Sequence, residues 1–222
     1  MTIQEAMKER HSVRSYLDKE IEEEKLDKLR AEIDHCNRKG GMNIQLITNE
    51  EKAFLGMMAH FGKFSGVKNY IAMIGDKDAS LDEKCGYYGE RLVLLAQQLG
   101  LNTCWVYMTY SKQKKAYKIN PSEKLCIVIA LGYGATQGTP HISKTIEQIS
   151  KTDGDMPDWF KSGVEAALLA PTAMNQQKFM FELHYGKVLA VADRGICTKI
   201  DLGIVKYHFA QGAGRQNFEW AK

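Results

Sequence analysis

The stretch "LLAPTAMNQQKFMFEL", Leu168 to Leu183, decides how this chain is read. It leaves an apolar helix end, passes Pro171, crosses the small residues Thr172 and Ala173 and the amides Asn175 and Gln177, and enters an alternating apolar segment. Proline cannot continue a helix, and period-two alternation predicts a strand over Phe179 to His184. Small side chains beside a proline let a planar ligand approach the backbone, and an amide both donates and accepts at the polar edge of a heteroaromatic ring. The same residues also read as a helix-ending turn followed by a surface amide pair.

Upstream, Trp159 to Leu169 has helical spacing, and the polar stretch "ISKTDGDMPDW" at 149–159, with Gly154 and Pro157, is the best internal boundary. It divides the chain into an N-terminal half, 1–150, and a C-terminal half, 151–222. The order helix, turn, strand occurs earlier too. In "LDKLRAEIDHCNRKGGMNIQLIT" the residues Leu26, Leu29, Ile33 and Cys36 line one helical face, Gly40-Gly41 stops the helix, and "NIQLIT" reads as a strand. Both turns carry an Asn with a Gln two residues on, Asn43 and Gln45 in one and Asn175 and Gln177 in the other. This pattern suggests a degenerate internal repeat, and chance similarity accounts for it equally well.

Between the two, a short helix is expected around Glu50 to His60 and a central strand at "NYIAMIG". The segment Asp82 to Leu99 places Leu92, Leu95, Ala96 and Leu99 on one helical face and ends at Gly100, where a left-handed stop belongs. "LNTCWV" and "LCIVIALGYG" read as further strands, the second after a turn at Asn120-Pro121. Sheet and helices together define an α/β or α+β core.

At 222 residues, 44% hydrophobic and 26% charged, the chain has the composition of an ordinary globular protein and can bury one core or two small lobes. Its 30 basic and 27 acidic residues are spread along the sequence, so no basic block argues for nucleic acid as a partner. No window is apolar enough to span a membrane, and the polar start does not resemble a secretory signal. The five cysteines are far apart with no C-x-x-C pair, which reads as reduced thiols in a cytoplasm and argues against a zinc site; no histidine spacing suggests a metal either. Cys104 has no accompanying His or Asp and reads as a buried structural thiol. No Walker A loop or G-x-S-x-G elbow is present.

One further cluster carries chemistry. "ERHSVRSY", Glu9 to Tyr16, gathers Arg10, His11, Ser12 and Arg14, and forked guanidiniums with a hydroxyl suit phosphate oxygens. From the residues alone, a solvated basic turn with Val13 and Tyr16 packed inward is the favoured reading. Taken with the opening stretch, however, it resembles a known pattern. "RHSVRSY" looks like the Arg-x-Ser-x-Arg phosphate motif of the FMN-dependent nitroreductase family, and "LAPTAMNQQ" looks like that family's Ala-Pro-Ser-Ala-x-Asn-x-Gln flavin motif.

The resemblance implies a nitroreductase-like α+β fold, a central mixed sheet flanked by helices. It also implies an FMN cofactor and NAD(P)H as co-substrate, passing electrons to a small electron-poor acceptor such as a nitroaromatic or quinone. Carried over by residue, Arg10, His11, Ser12 and Arg14 would hold the phosphate and ribityl chain, and Pro171, Thr172, Ala173, Asn175 and Gln177 would approach the ring. The backbone near Tyr107 would lie by flavin N5, and Lys144 is a further phosphate candidate. No side chain is expected to act as acid, base or nucleophile, because the flavin carries the chemistry. In ordinary members the Asn motif follows the Arg motif by about one helix, whereas here that position holds "KGGMNIQ" and the fuller motif comes late. The chain therefore resembles a tandem subgroup in which one polypeptide imitates the dimer, with a monomer expected. Lys178-Phe179 stands where many members have Pro-Trp. The alternative is a flavin- or ligand-binding protein of the same fold without turnover.

Overall fold

The computed structural model describes residues 1–221. In chain order the elements of the first part are α1 (Ile3–Glu9), α2 (Glu23–Gly40), β1 (Gln45–Ile47), α3 (Met57–Phe61), β2 (Asn69–Asp76), α4 (Leu81–Gln98), β3 (Asn102–Val106) and β4 (Glu123–Gly132). They are followed by α5 (Ile146–Ile149), β5 (Ser150–Thr152), α6 (Asp158–Leu168), β6 (Phe179–His184), β7 (Lys187–Ala192), α7 (Thr198–Ala213) and β8 (Glu219–Trp220). Two compact units share these elements. The first holds Met1–Lys8, Asp82–Glu90 and the chain from His141 onward, and the second holds Glu9–Leu81 and Arg91–Pro140.

The second unit is built on an antiparallel sheet in the order β1-β2-β4-β3. β2 is the expected central strand, and Tyr70 through Ile74 are fully buried. The unbroken apolar run reports that both faces of the strand are covered, whichever way its neighbours run. Residue Gly41 ends α2 at φ 59°, ψ 49°, its N–H donating to the Asn37 carbonyl, as the Gly40-Gly41 pair predicted. The expected helix at 50–60 is instead a 3₁₀ turn, Lys52–Phe54, followed by the single-turn α3. The break falls at Gly56, where a Cβ would come within 2.8 Å of Ser111 Oγ.

The first unit carries a mixed sheet, β5-β6-β7-β8, with parallel outer pairs and an antiparallel centre. The fold is thus α+β with two sheets where a single central one was expected, and β5 lies within the polar stretch read as a boundary. Its core is aromatic. Phe181 stacks on Phe209 at 4.6 Å, and Phe160, Phe218 and Trp220 pack around Phe209. Helix α7 is buried nearly all round, from Thr198 and Ile200 to Ala213. Backbones meet closely where it crosses the start of α4: a Cβ on Gly86 would lie 1.9 Å from the Ile200 carbonyl oxygen, and one on Gly203 would lie 2.0 Å from that of Glu83. Only glycine fits either position.

Candidate functional site

The site residues expected from the sequence fall in both units: Arg10, His11, Ser12, Arg14 and Tyr107 in the second, Lys144 and Pro171 to Gln177 in the first. In the second unit the segment 12–17 is laid down as backbone. Ser12 bridges Thr103 in parallel and Tyr16 bridges Gly134 antiparallel. Val13 N–H donates to the Thr103 carbonyl (3.0 Å), Tyr16 N–H to that of Ser65 (3.0 Å) and Leu17 N–H to that of Tyr133 (2.8 Å). Val13 and Tyr16 are buried, three residues apart and so outside a regular strand alternation, and Arg14 is exposed, with its guanidinium carbon 6.0 Å from the Phe64 ring centre. Arg10 is also buried, while His11 and Ser12 are half-buried.

The Cys104 thiol lies in this neighbourhood and is 3% exposed. Burial pushes its pKa up, against the opposing pull of Arg14, the Ser12 hydroxyl and Arg10, so it stays a protonated structural thiol. Burial likewise drives the Tyr16 phenol well above its ordinary value. Tyr107 follows the end of β3 and is 49% exposed.

In the first unit the loop after α6 is held by side chains. The last carbonyls of a helix need donors from outside it, and here the Leu168 carbonyl accepts from the His141 ring Nε2–H (2.9 Å) and from Ser143 Oγ (3.0 Å). Gln177, 4% exposed, joins the two sides of the loop: its Oε1 accepts from Lys144 N–H (2.8 Å), and its Nε2 donates to the Ile142 carbonyl (2.8 Å) and to Asn175 Oδ1 (3.0 Å). Asn175 Nδ2 donates to the same Ile142 carbonyl (2.9 Å), and Lys144 Nζ donates to the Gln177 carbonyl (2.7 Å). Three residues of this loop without the freedom of glycine, Met174, Asn175 and Gln177, sit at φ 52°, 54° and 45°. Left-handed backbone costs an ordinary side chain roughly 1 kcal/mol or more, so the surrounding structure must enforce it.

Asp201 supplies much of that force, and nothing near the motif in sequence announces it. It lies in the first turn of α7, 3% exposed, and its carboxylate accepts from Ala173 N–H (3.0 Å to Oδ1, 3.2 Å to Oδ2) and from Gln176 Nε2 (2.8 Å). Burial raises its pKa to about 6, although the bonds from Gln176 and Ala173 favour the charged form. The only available signal was an acidic residue in the otherwise apolar "IDLGIV". Deeper on α7, His208 is fully buried. Its Nδ1 faces the Ala166 carbonyl (3.0 Å) and its Nε2 faces Glu90 (2.9 Å), fastening α7 to α6 and to the first half of α4.

Among the described residues no group of three or more His, Cys, Asp or Glu side chains is placed to hold a metal, and no helix is long and apolar enough to cross a membrane. All five cysteines are free thiols.

The two-sheet α+β architecture with these elements is that of the nitroreductases. More particularly, the chain belongs to the family described as "Putative TM nitroreductase", whose model matches residues 2–213. It is similar over 99% of its length to 87% of a Thermotoga maritima protein described as a "putative nitroreductase", at 23% identity and a TM-score of 0.65. A "putative nitroreductase in complex with fmn" from Desulfovibrio desulfuricans is 17% identical with a TM-score of 0.53, covering 67% of this chain and 95% of its own. A Parabacteroides distasonis protein described as "Putative NADH dehydrogenase/NAD(P)H nitroreductase" is 24% identical with a TM-score of 0.52, covering 66% and 95% respectively. No curated protein matches the chain.

Proposed function

We propose that this protein is an FMN-dependent oxidoreductase that takes electrons from NAD(P)H and passes them to a small electron-poor acceptor. The observation that carries the reading is the loop Ala170 to Gln177. It is the stretch singled out in the sequence for approach to a planar ring, and it keeps three ordinary residues at positive φ with buried polar partners behind them. Strain of this kind persists where a backbone shape is needed for a ligand. The Desulfovibrio desulfuricans neighbour, of the same fold, is an FMN complex.

The residues present fit such a cofactor. A phosphate asks for forked cations and a hydroxyl, and the exposed Arg14, the half-buried Ser12 and His11 and the buried Arg10 are residue types that supply that donor set. A ring edge asks for small side chains and a polar rim, which Pro171, Thr172, Ala173 and the exposed Asn175 supply. Lys144 and Gln177 hold the loop shape and would act on the ring through it. The backbone after β3, at Tyr107, would present its amide to the redox end of the ring. Bound FMN supplies hydride acceptance and electron transfer. The protein's part is to fix the ring, set donors toward the side that gains negative charge, and leave one face open to the acceptor. The paired Asn and Gln turns are the ground for proposing a tandem arrangement, in which the chain works as a monomer imitating a dimer.

The test is the absorbance spectrum of the purified protein followed by anaerobic titration with NADH and with NADPH. A yellow protein bleached by either nicotinamide is expected. A colourless protein that gains no flavin band on adding FMN refutes the reading, and a yellow protein that neither nicotinamide bleaches is a flavin-binding protein without turnover.

A further inference from the structure

The second unit carries a concentration of positive charge that the flavin reading leaves unused. An open cleft of about 560 Å³ is lined by Glu50, Lys52, Lys112, Gln113, Lys114, Lys115 and Ala116. Four lysines share this wall with one carboxylate, in a chain whose whole excess charge is +3. The carboxylate is already engaged: Glu50 Oε1 accepts from Lys52 N–H (3.0 Å) and Oε2 from Ala53 N–H (3.1 Å), which caps the 3₁₀ turn. All four lysines are exposed, and none makes an ion pair or side-chain hydrogen bond among the described residues. Elsewhere Lys25, Lys28, Lys68 and Lys206 each have a carboxylate within 3.4 Å. Four neighbouring ammonium groups beside a single carboxylate leave the wall with an excess of positive charge, and an anion relieves the repulsion among them.

The cleft has a fixed shape. Ser111 N–H donates to the Ala53 carbonyl (2.8 Å), tying the lysine loop to the turn that carries Lys52, and Ala116 N–H closes the loop on the Gln113 carbonyl (2.9 Å). Exposed apolar side chains follow Lys52 in the chain. Leu55, Met57 and Phe61 are 71%, 76% and 71% exposed, and a Cβ at Gly56 would come within 2.8 Å of Ser111 Oγ and one at Gly62 within 2.6 Å of Thr109 Oγ1. Tyr107, expected beside the redox end of the ring, is five residues before Lys112, so the two are at most about 18 Å apart along an extended chain. That is within the span of a stretched dinucleotide.

We infer that this cleft binds the phosphates of the reduced nicotinamide co-substrate, above all the 2′-phosphate of its adenosine, and that the protein prefers NADPH to NADH. The inference rests on the oxidoreductase reading. A phosphate monoester carries up to two charges that NADH lacks, and several lysines surrounding it as point charges favour the phosphorylated form. The exposed Leu55, Met57 and Phe61 would receive the adenine.

The test uses the full chain as purified with its cofactor and the triple variant Lys112→Gln, Lys114→Gln, Lys115→Gln. Calorimetry with adenosine 2′,5′-bisphosphate reads the cleft without any turnover. The wild type should bind it at least about tenfold more tightly than 5′-AMP, and the variant should lose that margin. The KM for NADPH should rise about tenfold or more in the variant while that for NADH changes less than about twofold, and the triple Lys→Arg variant should retain the preference. Equal affinity of the wild type for the two adenosine ligands, or equal shifts for NADPH and NADH, would overturn the proposal. So would tighter binding of a single-stranded oligonucleotide than of the bisphosphate, which would make the cleft a nucleic-acid surface. A protein that never takes up FMN refutes the oxidoreductase reading alone, since the bisphosphate titration still decides the cleft.

Discussion

Each unit contains an Asn-x-Gln turn, and the two are wired alike. In the second unit Gln45 Nε2 donates to Asn43 Oδ1 (3.0 Å) and to the Lys118 carbonyl (2.7 Å), Asn43 Nδ2 donates to that same carbonyl (3.2 Å), and Lys118 N–H returns a bond to Gln45 Oε1 (2.9 Å). In the first unit Gln177, Asn175, the Ile142 carbonyl and Lys144 N–H take the same parts. The clasp is one device used twice to pin a passing segment. What differs is what surrounds it. Asn43 and Gln45 have ordinary backbone and follow a glycine pair, whereas Asn175 and Gln177 are left-handed, follow a proline, and have Asp201 buried behind them. Clasping alone therefore demands no strain, and the strain at 174–177 has its cause in what surrounds the first-unit loop, which is where the proposed flavin reading can be tested.

Removing Asp201 should break the comparison most completely, because only the strained clasp has a fully buried carboxylate behind it, whereas the Glu123 carboxylate that accepts from Asn43 is half-buried. Asp201→Ala leaves the half-buried Ala173 N–H without its acceptor, reduces the Gln176 amide to its bond with the Ile196 carbonyl, and opens a gap at a buried position, so urea unfolding should show a loss of about 3 kcal/mol. A loss under about 0.5 kcal/mol would mean that the loop holds itself.

Charge at the same position gives a pH signature. The folded carboxyl titrates at about 6, above its ordinary range, so between about pH 4 and pH 6 the native state binds the proton that the unfolded chain has released. This contribution is fully present below about pH 4 and is lost as pH rises through 6, and it amounts to about 3 kcal/mol. Asp201→Asn keeps an oxygen that can accept from both Ala173 and Gln176 and does not titrate. Unfolding free energies of the wild type minus those of Asp201→Asn should therefore fall across that window, and a flat difference would refute the burial argument.

The clasps themselves can be compared by truncation. Gln177→Ala should cost about 2 kcal/mol in urea unfolding, since it leaves Lys144 N–H short of a partner inside the protein and the Ile142 carbonyl with Asn175 alone, while Gln45→Ala at the half-buried start of β1 should cost about 1. Flavin affinity should separate the pair further. Asn175→Ala should weaken FMN binding about tenfold to hundredfold by fluorescence titration, and Asn43→Ala should leave it unchanged. Equal effects would make the clasps equivalent and remove the first-unit loop from the site.

Much of the frame was legible because its signals are local. The continuous apolar run of β2 and the glycine stop of α2 each state their structure within a few residues, and the helix at α4 was legible too, although Val93 and Leu94, off the expected face, are as deeply buried as Leu92 and Ala96 on it. Helix α7 was not legible for the opposite reason: buried on nearly every side, it has no polar face to betray a period. Residues 50–60 misled because the close approach of Ser111 at Gly56, a contact from 55 positions away, splits an otherwise helical pattern. In the candidate site the residues of the two motifs, Arg10 to Arg14 and Pro171 to Gln177, stand out in the sequence itself. Asp201 was not, since its partnership with Ala173 and Gln176 exists only once α7 is folded against the loop.

The smallest effect tests the strain directly. Met174 sits at φ 52° with its side chain 78% exposed, so it has little packing to lose, and the left-handed conformation is one that glycine adopts freely. Met174→Gly should then stabilise the protein by about 0.5 kcal/mol. The relief of left-handed strain, about 1 kcal/mol, is partly offset by the greater freedom of glycine in the unfolded chain. Asn43→Gly, at ordinary φ and with its Nδ2 bonds to Lys118 and Glu123 removed, should destabilise instead. Opposite signs at two turns that share one clasp would locate the strain in the backbone of the first-unit loop. A destabilising Met174→Gly would mean that the methionine side chain, exposed as it is, holds the loop in place.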